Sequence, residues 1–299
     1  RPGVPAHQLP RETLGHIQSA WCLAQKEVVR EAHNNCVNRI SKDLQSPETV
    51  KTGLSVITAD GEKTMQSLWL TDPFVRLGTW EQFVEATWSA RCNRLGIDET
   101  QMETGSDDQC CAACMSICQC VSRTPEMAEG EVTCCLCKEV GNGARKEREL
   151  CRSCWRRVLH RRRFDLVAMN LEKKSLFILE FNRTSDLDPR YREEAMARAE
   201  QQYTDEIEGL RQVLPEDWKV IPVHIIAGST SVNEVAWNAA MKALGVPAKK
   251  WKAFREHLMH TLLNELDKIL RSFWAQRFGA TQSSTLVASQ ATAISGAVI

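Results

Sequence analysis

Two groups of side chains in this chain have the types and spacing to do chemistry. Cys134, Cys137, Cys151 and Cys154 are spaced C-x2-C-x13-C-x2-C. Two knuckles of that kind, each presenting two thiolates, converge on one tetrahedral Zn2+; four protein ligands leave no open position for water, so such a zinc is structural. Upstream, Cys110, Cys111, Cys114, Cys118 and Cys120 stand closer together, and Cys111, Cys114, Cys118 and Cys120 could supply a second zinc. Ten of the 13 cysteines fall between Cys110 and Cys154 of an otherwise ordinary globular chain, which favours metal over disulfides. The second group is a pair of carboxylates, Asp165 and Glu180, in the segment RRRFDLVAMN-LEKK-SLFILEFNRTSD.

That segment reads as two strands around the charged turn Leu171 to Lys174, because apolar and β-prone residues dominate both flanks. If Asn170 pairs with Ser175, then Val167 faces Ile178, Asp165 faces Glu180 and Arg163 faces Asn182. Facing positions hold their Cβ atoms about 4.5 to 5.5 Å apart, so two carboxylates there repel unless a cation lies between them. An oxygen pair at that distance suits Mg2+ or Mn2+, which would polarise a phosphodiester and activate water for attack. The plainer alternative is a pair of acids on a solvated strand face. Alternation puts Glu180 and Asn182 on one face, with Phe177, Leu179 and Phe181 on the other. Arg183 turns to the second face too.

The elements that must position these groups follow a clear order. Residues 11 to 95 begin with a helical pattern, in which Ile17, Leu23, Val28, Ala32 and Cys36 recur, followed by a strand at Leu54 to Thr58 and helices at 62 to 70 and 80 to 93. This part reads as a scaffold or partner-binding module without chemistry. The acidic run DETQMETGSDDQ is a linker. Behind the hairpin, Pro189 to Leu214 carries one apolar stripe of Met196, Tyr203, Ile207, Leu210 and Leu214, as a single helix would. Trp218 to Ala227 is a buried strand, in which His224 reads as a satisfied core histidine. A helix with Val235 and Met241 follows, and then a long amphipathic helix from Pro247 to Phe278. The expected divisions are a mainly helical segment at 1–97, the linker at 98–109, a cysteine-rich module at 110–160, an α/β domain at 161–279 and a disordered tail at 280–299.

Charge sharpens the functional reading. The 299 residues carry 38 basic and 38 acidic side chains, so contact with nucleic acid has to come from local clustering. CRSCWRRVLHRRRF supplies it, with six arginines between Arg152 and Arg163. No apolar run is long enough for a membrane span, and no secretory signal stretch opens the chain, so an intracellular protein with a nuclear target is expected. A start at Arg1 fits a piece of a longer translation product.

An acidic residue on one strand and E-x-K on the next is the signature of the PD-(D/E)XK nuclease superfamily, which this chain resembles at Asp165, Glu180 and Asn182. The string FILEFNRTSD, a helix with ARAEQQY and the zinc knuckle upstream are similar, more narrowly, to the restriction-endonuclease-like domains of site-specific non-LTR retrotransposons and related reverse-transcriptase-encoding elements. The resemblance implies an α/β fold with an α-β-β-β-α-β core and a metal-dependent DNA endonuclease. It also implies Mg2+ on Asp165 and Glu180, with Gln202 beside Tyr203 near the metal and fusion to a reverse transcriptase. Phe164 stands in place of the usual proline and Asn182 in place of the lysine. Asparagine cannot supply the positive charge that orients water and stabilises the transition state. The guanidinium of Arg163 could supply charge but not act as a base. Arg156, Arg157, Arg161, Arg162 and Arg163 are expected to grip phosphates. Two readings of other classes stay open: a nuclease fold that only binds nucleic acid, and a zinc-dependent protein-interaction module.

Overall fold

The computed structural model describes residues 26–58, 64–72, 74–96, 152–184, 189–228 and 230–278. In chain order the elements are α1 (Lys26–Leu44), α2 (Pro47–Val50), β1 (Leu54–Thr58), α3 (Met65–Leu68), α4 (Phe74–Leu77), α5 (Trp80–Leu95), α6 (Arg152–Arg161), β2 (Leu166–Asn170), β3 (Ser175–Arg183), α7 (Pro189–Gln202), α8 (Thr204–Val213), β4 (Lys219–Ala227), α9 (Glu234–Ala243) and α10 (Ala248–Phe278). The fold is mixed α/β. One four-stranded sheet runs in the order β1-β2-β3-β4, antiparallel between β1 and β2 and between β2 and β3, and parallel between β3 and β4. A parallel pair needs a crossover, and α7 with α8 provides it.

Both faces of the sheet are covered, as the near-continuous apolar content of β2 and β3 requires. On one face Val167, Met169, Leu176 and Ile178 pack with Phe83, Trp88, Trp155, Phe164, Tyr203 and Leu210 from α5, α6, α8 and the segments beside them. On the other, Leu166, Ala168, Phe177, Leu179 and Phe181 pack with Cys36, Ile40, Trp237, Met241, Leu258 and Leu262 from α1, α9 and α10. Burying side chains of this size contributes about 1.5 to 3 kcal/mol each before chain entropy is counted. The 26–95 and 152–278 segments therefore share one sheet and two cores. β1 forms over the expected Leu54–Thr58, and pairs with β2.

Local signals fix several ends. Thr79 and Gln82 form a reciprocal capping box at the start of α5, and Gly96 ends that helix at φ 65°. Asn170 closes the β2–β3 turn: its Oδ1 accepts from the Lys173 N–H at 2.9 Å, while its Nδ2 donates to the Thr52 carbonyl at 2.9 Å. Three expectations change. The helix expected over 62 to 70 is the short α3. The single helix expected from Pro189 to Leu214 is broken at Tyr203, whose backbone leaves the helical region at φ −121° and ψ 24°. There the ring is pulled into the core against Phe164, centroids 4.9 Å apart, and its hydroxyl donates to the Arg163 carbonyl at 2.6 Å. On α10, Phe254, Leu258, Leu262, Leu266, Ile269 and Phe273 are buried as expected, but Trp251 is only half-buried.

Candidate active site

The observed β2–β3 ladder pairs Leu166 with Leu179, Val167 with Ile178 and Asn170 with Ser175, which is the register that the turn predicts. Asp165 lies one position before the first pair and thus opposite Glu180. Its Oδ2 accepts from the Phe181 N–H at 2.7 Å. Glu180 is 5% exposed, and its Oε2 has no hydrogen-bond partner. Burial first, and then the neighbouring Asp165 charge and a hydrogen bond to Asp165, push the Glu180 carboxyl far above its ordinary range, against the opposing pull of His33 and Tyr203. A carboxylate so placed is short of positive charge.

Other polar atoms share this face. His224 on β4 is the ladder partner of Glu180, and Asn182 is two residues along β3. His224 Nδ1 and Asn182 Nδ2 are both buried without a partner. His224 is therefore not the satisfied core histidine expected from its apolar surroundings. Burial lowers its pKa, and Glu200 of α7 opposes that shift. Tyr203 borders the group, its hydroxyl held protonated by burial and by the charges of Glu180 and Asp165. Gln202 is exposed at the end of α7, and its carbonyl accepts from Arg162 at 2.8 Å.

Unpartnered Glu180 Oε2 and His224 Nδ1 call for donors or a cation, while Asn182 Nδ2 calls for an acceptor. A hydrated divalent ion with a phosphate oxygen beside it would meet all three demands. Among the described residues no group of three or more His, Cys, Asp or Glu side chains forms a metal cage. Asp165 and Glu180 alone would leave most positions to water, backbone and substrate, as suits Mg2+.

One member of the site came from outside the expected region. His33, on α1, places Nε2 3.0 Å from the Phe181 carbonyl oxygen and 3.3 Å from Asp165 Oδ2. Burial alone would lower its pKa, but Asp165, the Phe181 carbonyl and Asn34 together push it up to about 9. The 26–95 segment, read from sequence as lacking chemistry, thus reaches the carboxylates.

The arginines divide. Arg162 is turned inward, ion-paired with the buried Glu206 and lying over the Trp155 ring, its guanidinium carbon 5.2 Å from the centroid. Arg156 pairs with Glu81 at 3.2 Å on the surface. Arg163 is exposed, ahead of the ladder. Arg183, as alternation requires, lies on the opposite face, beside Cys36 and Glu265. The side chains of Arg157, Arg161 and Cys154 lie outside the described residues, as do Cys111, Cys114, Cys118, Cys120, Cys134, Cys137 and Cys151, the linker at 98–109 and the tail at 280–299. No described helix is long and apolar enough to cross a membrane. Neither protein-family models, nor curated proteins, nor solved structures gave a match to this chain.

Proposed function

We propose that this chain is a metal-dependent DNA endonuclease of the restriction-endonuclease-like kind, serving a mobile element that also encodes a reverse transcriptase. The observation that carries the reading is Glu180, buried with an unpartnered oxygen opposite Asp165. A native chain keeps such a costly carboxylate where function needs it. The order α1, β1, β2, β3, α7–α8, β4 is compatible with the α-β-β-β-α-β core of that superfamily, here with the four described helices α3 to α6 and the cysteine-rich stretch between β1 and β2.

Asp165 and Glu180 would hold Mg2+ or Mn2+, which when bound supplies Lewis-acid polarisation of a phosphodiester and a more acidic water. Asn182 Nδ2 is available to a non-bridging phosphate oxygen. Half-buried His224 presents Nδ1 on the same face and stays neutral at ordinary pH, so it accepts a proton or orients a water. Tyr203, kept protonated, fixes the Arg163 backbone and thereby the start of β2. Exposed Arg163 and Arg156, with Arg157 and Arg161, are the candidates for holding DNA phosphates, and zinc on the four spaced cysteines would anchor that segment.

A second reading, a nuclease fold that binds nucleic acid without cutting it, is favoured by Asn182 in the position of the lysine. Nicking of supercoiled plasmid in Mg2+ or Mn2+ separates them. The proposal expects cleavage by the parent chain, its loss in Glu180→Ala and its increase in Asn182→Lys. Silence in the parent with activity in Asn182→Lys supports the binding role, and no cleavage in either overturns the nuclease reading.

A further inference from the structure

We infer that His33 is a built-in competitor for the cation, its N–H already engaging Asp165 Oδ2, one of the oxygens that the proposed site would offer to metal. The inference rests on the proposed carboxylate site and adds to it a residue that sets the affinity of that site. A carbonyl oxygen and a carboxylate oxygen are both acceptors, so an imidazole nitrogen 3.0 Å from one and 3.3 Å from the other must carry its proton between them. The Phe181 peptide is held at both ends in consequence: its N–H donates to Asp165 Oδ2, and its carbonyl accepts from His33.

A divalent ion held by Asp165 would approach its carboxylate oxygen to about 2.0 to 2.6 Å. An N–H already directed at Asp165 Oδ2 leaves no room for it there. Occupation by His33 and by metal is therefore mutually exclusive at Asp165 Oδ2, and metal must displace the ring before it engages both oxygens of that carboxylate. The ring has a way out. Its side chain is 31% exposed, and its other nitrogen has only a long contact, 3.4 Å, to Asn34. Its ring meets Phe181 at a tilt, centroids 5.5 Å apart, which is a contact that rotation about the first side-chain torsion would release.

The decisive property is the direction of the effect. A residue that merely supports the carboxylates would weaken metal binding when removed, whereas a competitor strengthens it. Mn2+ binding without DNA is read from the free-ion electron paramagnetic resonance signal, for the full chain, His33→Ala, His33→Lys and Glu180→Ala, with thermal unfolding recorded for each. His33→Ala is expected to bind the Glu180-dependent Mn2+ about ten- to a hundredfold more tightly than the parent, the size expected from removing a competing hydrogen bond to a carboxylate. His33→Lys keeps an N–H donor at the position and should stay near the parent. Equal or weaker binding by a cooperatively folded His33→Ala overturns the inference while leaving the carboxylate site standing. No Glu180-dependent binding in either the parent or His33→Ala removes both. If His33→Ala fails to fold, His33→Leu, which removes the donor and keeps a side chain of similar bulk, must show the gain instead, and its absence there is equally fatal.

Discussion

Glu180 shows how a single residue can weaken the fold that carries it. Burial and Asp165 raise its pKa in the folded protein from the ordinary 4.5 towards about 9, so the folded chain holds a proton that the unfolded chain releases. That stabilising contribution is full below about pH 4.5 and is lost as pH rises through the raised value. Glu180→Gln should therefore unfold at a higher temperature than the parent in chelator, by about 1 to 3 kcal/mol near neutral pH, with the gap widening towards pH 9 and vanishing near pH 4. Thermal melts across pH test this, and a gap independent of pH would mean that Glu180 is not proton-linked to folding. Asp165 and Glu180 were legible in the sequence because a two-residue period and a short turn fix which side chains face one another. His33 was not, since nothing local distinguishes one histidine on a long helix from another and its partners lie far along the chain. His224 was hidden by its apolar neighbours, which marked the strand correctly but said nothing of Glu180 beside it on the next strand.

At the scale of elements, propensity and packing disagree at Gly209 in α8. Alanine there would favour the helix by about 1 kcal/mol. Its Cβ, however, would lie 2.4 Å from Thr87 Cγ2 and 2.9 Å from the Thr87 backbone nitrogen, where α8 crosses α5. Backbone cannot yield as a flexible side chain does, so Gly209→Ala should destabilise by about 1 to 3 kcal/mol, read from urea denaturation. Thr87 also accepts from the Trp155 indole at 3.4 Å, so the strain would pass into α6. The boundaries of β1 and β4 and the extent of α10 follow from hydrophobic patterning almost residue for residue. The break between α7 and α8 does not, because the apolar stripe continues through Tyr203 while the tertiary demand on its ring and hydroxyl interrupts the backbone.

For the whole molecule, the sequence suggested an α/β domain beginning at 161, yet β1 supplies a sheet edge and α1 supplies Cys36, Val37, Ile40 and Leu44 to the core behind it. A fragment of residues 161–279 is accordingly expected to lack a cooperative thermal transition and to bind a hydrophobic dye, whereas addition of residues 26–96 in trans should restore at least part of the transition. Circular dichroism and dye fluorescence check both. Periodicity identifies which faces are apolar but not which other face each will meet, so an edge strand separated from its partner by the cysteine-rich stretch looks like part of another unit.

The same β1–β2 pairing dictates an order of events during synthesis. Leu54 must wait for Asn170, so the first strand leaves the ribosome long before its partner exists. Until then an unpaired strand edge and the apolar side of α1 stand open, the kind of surface through which nascent chains associate wrongly. Folding rates fall as contacts become more distant in sequence. Completion of the sheet, and with it the meeting of His33 and Asp165, is thus a late event that anything compacting the intervening cysteines would hasten.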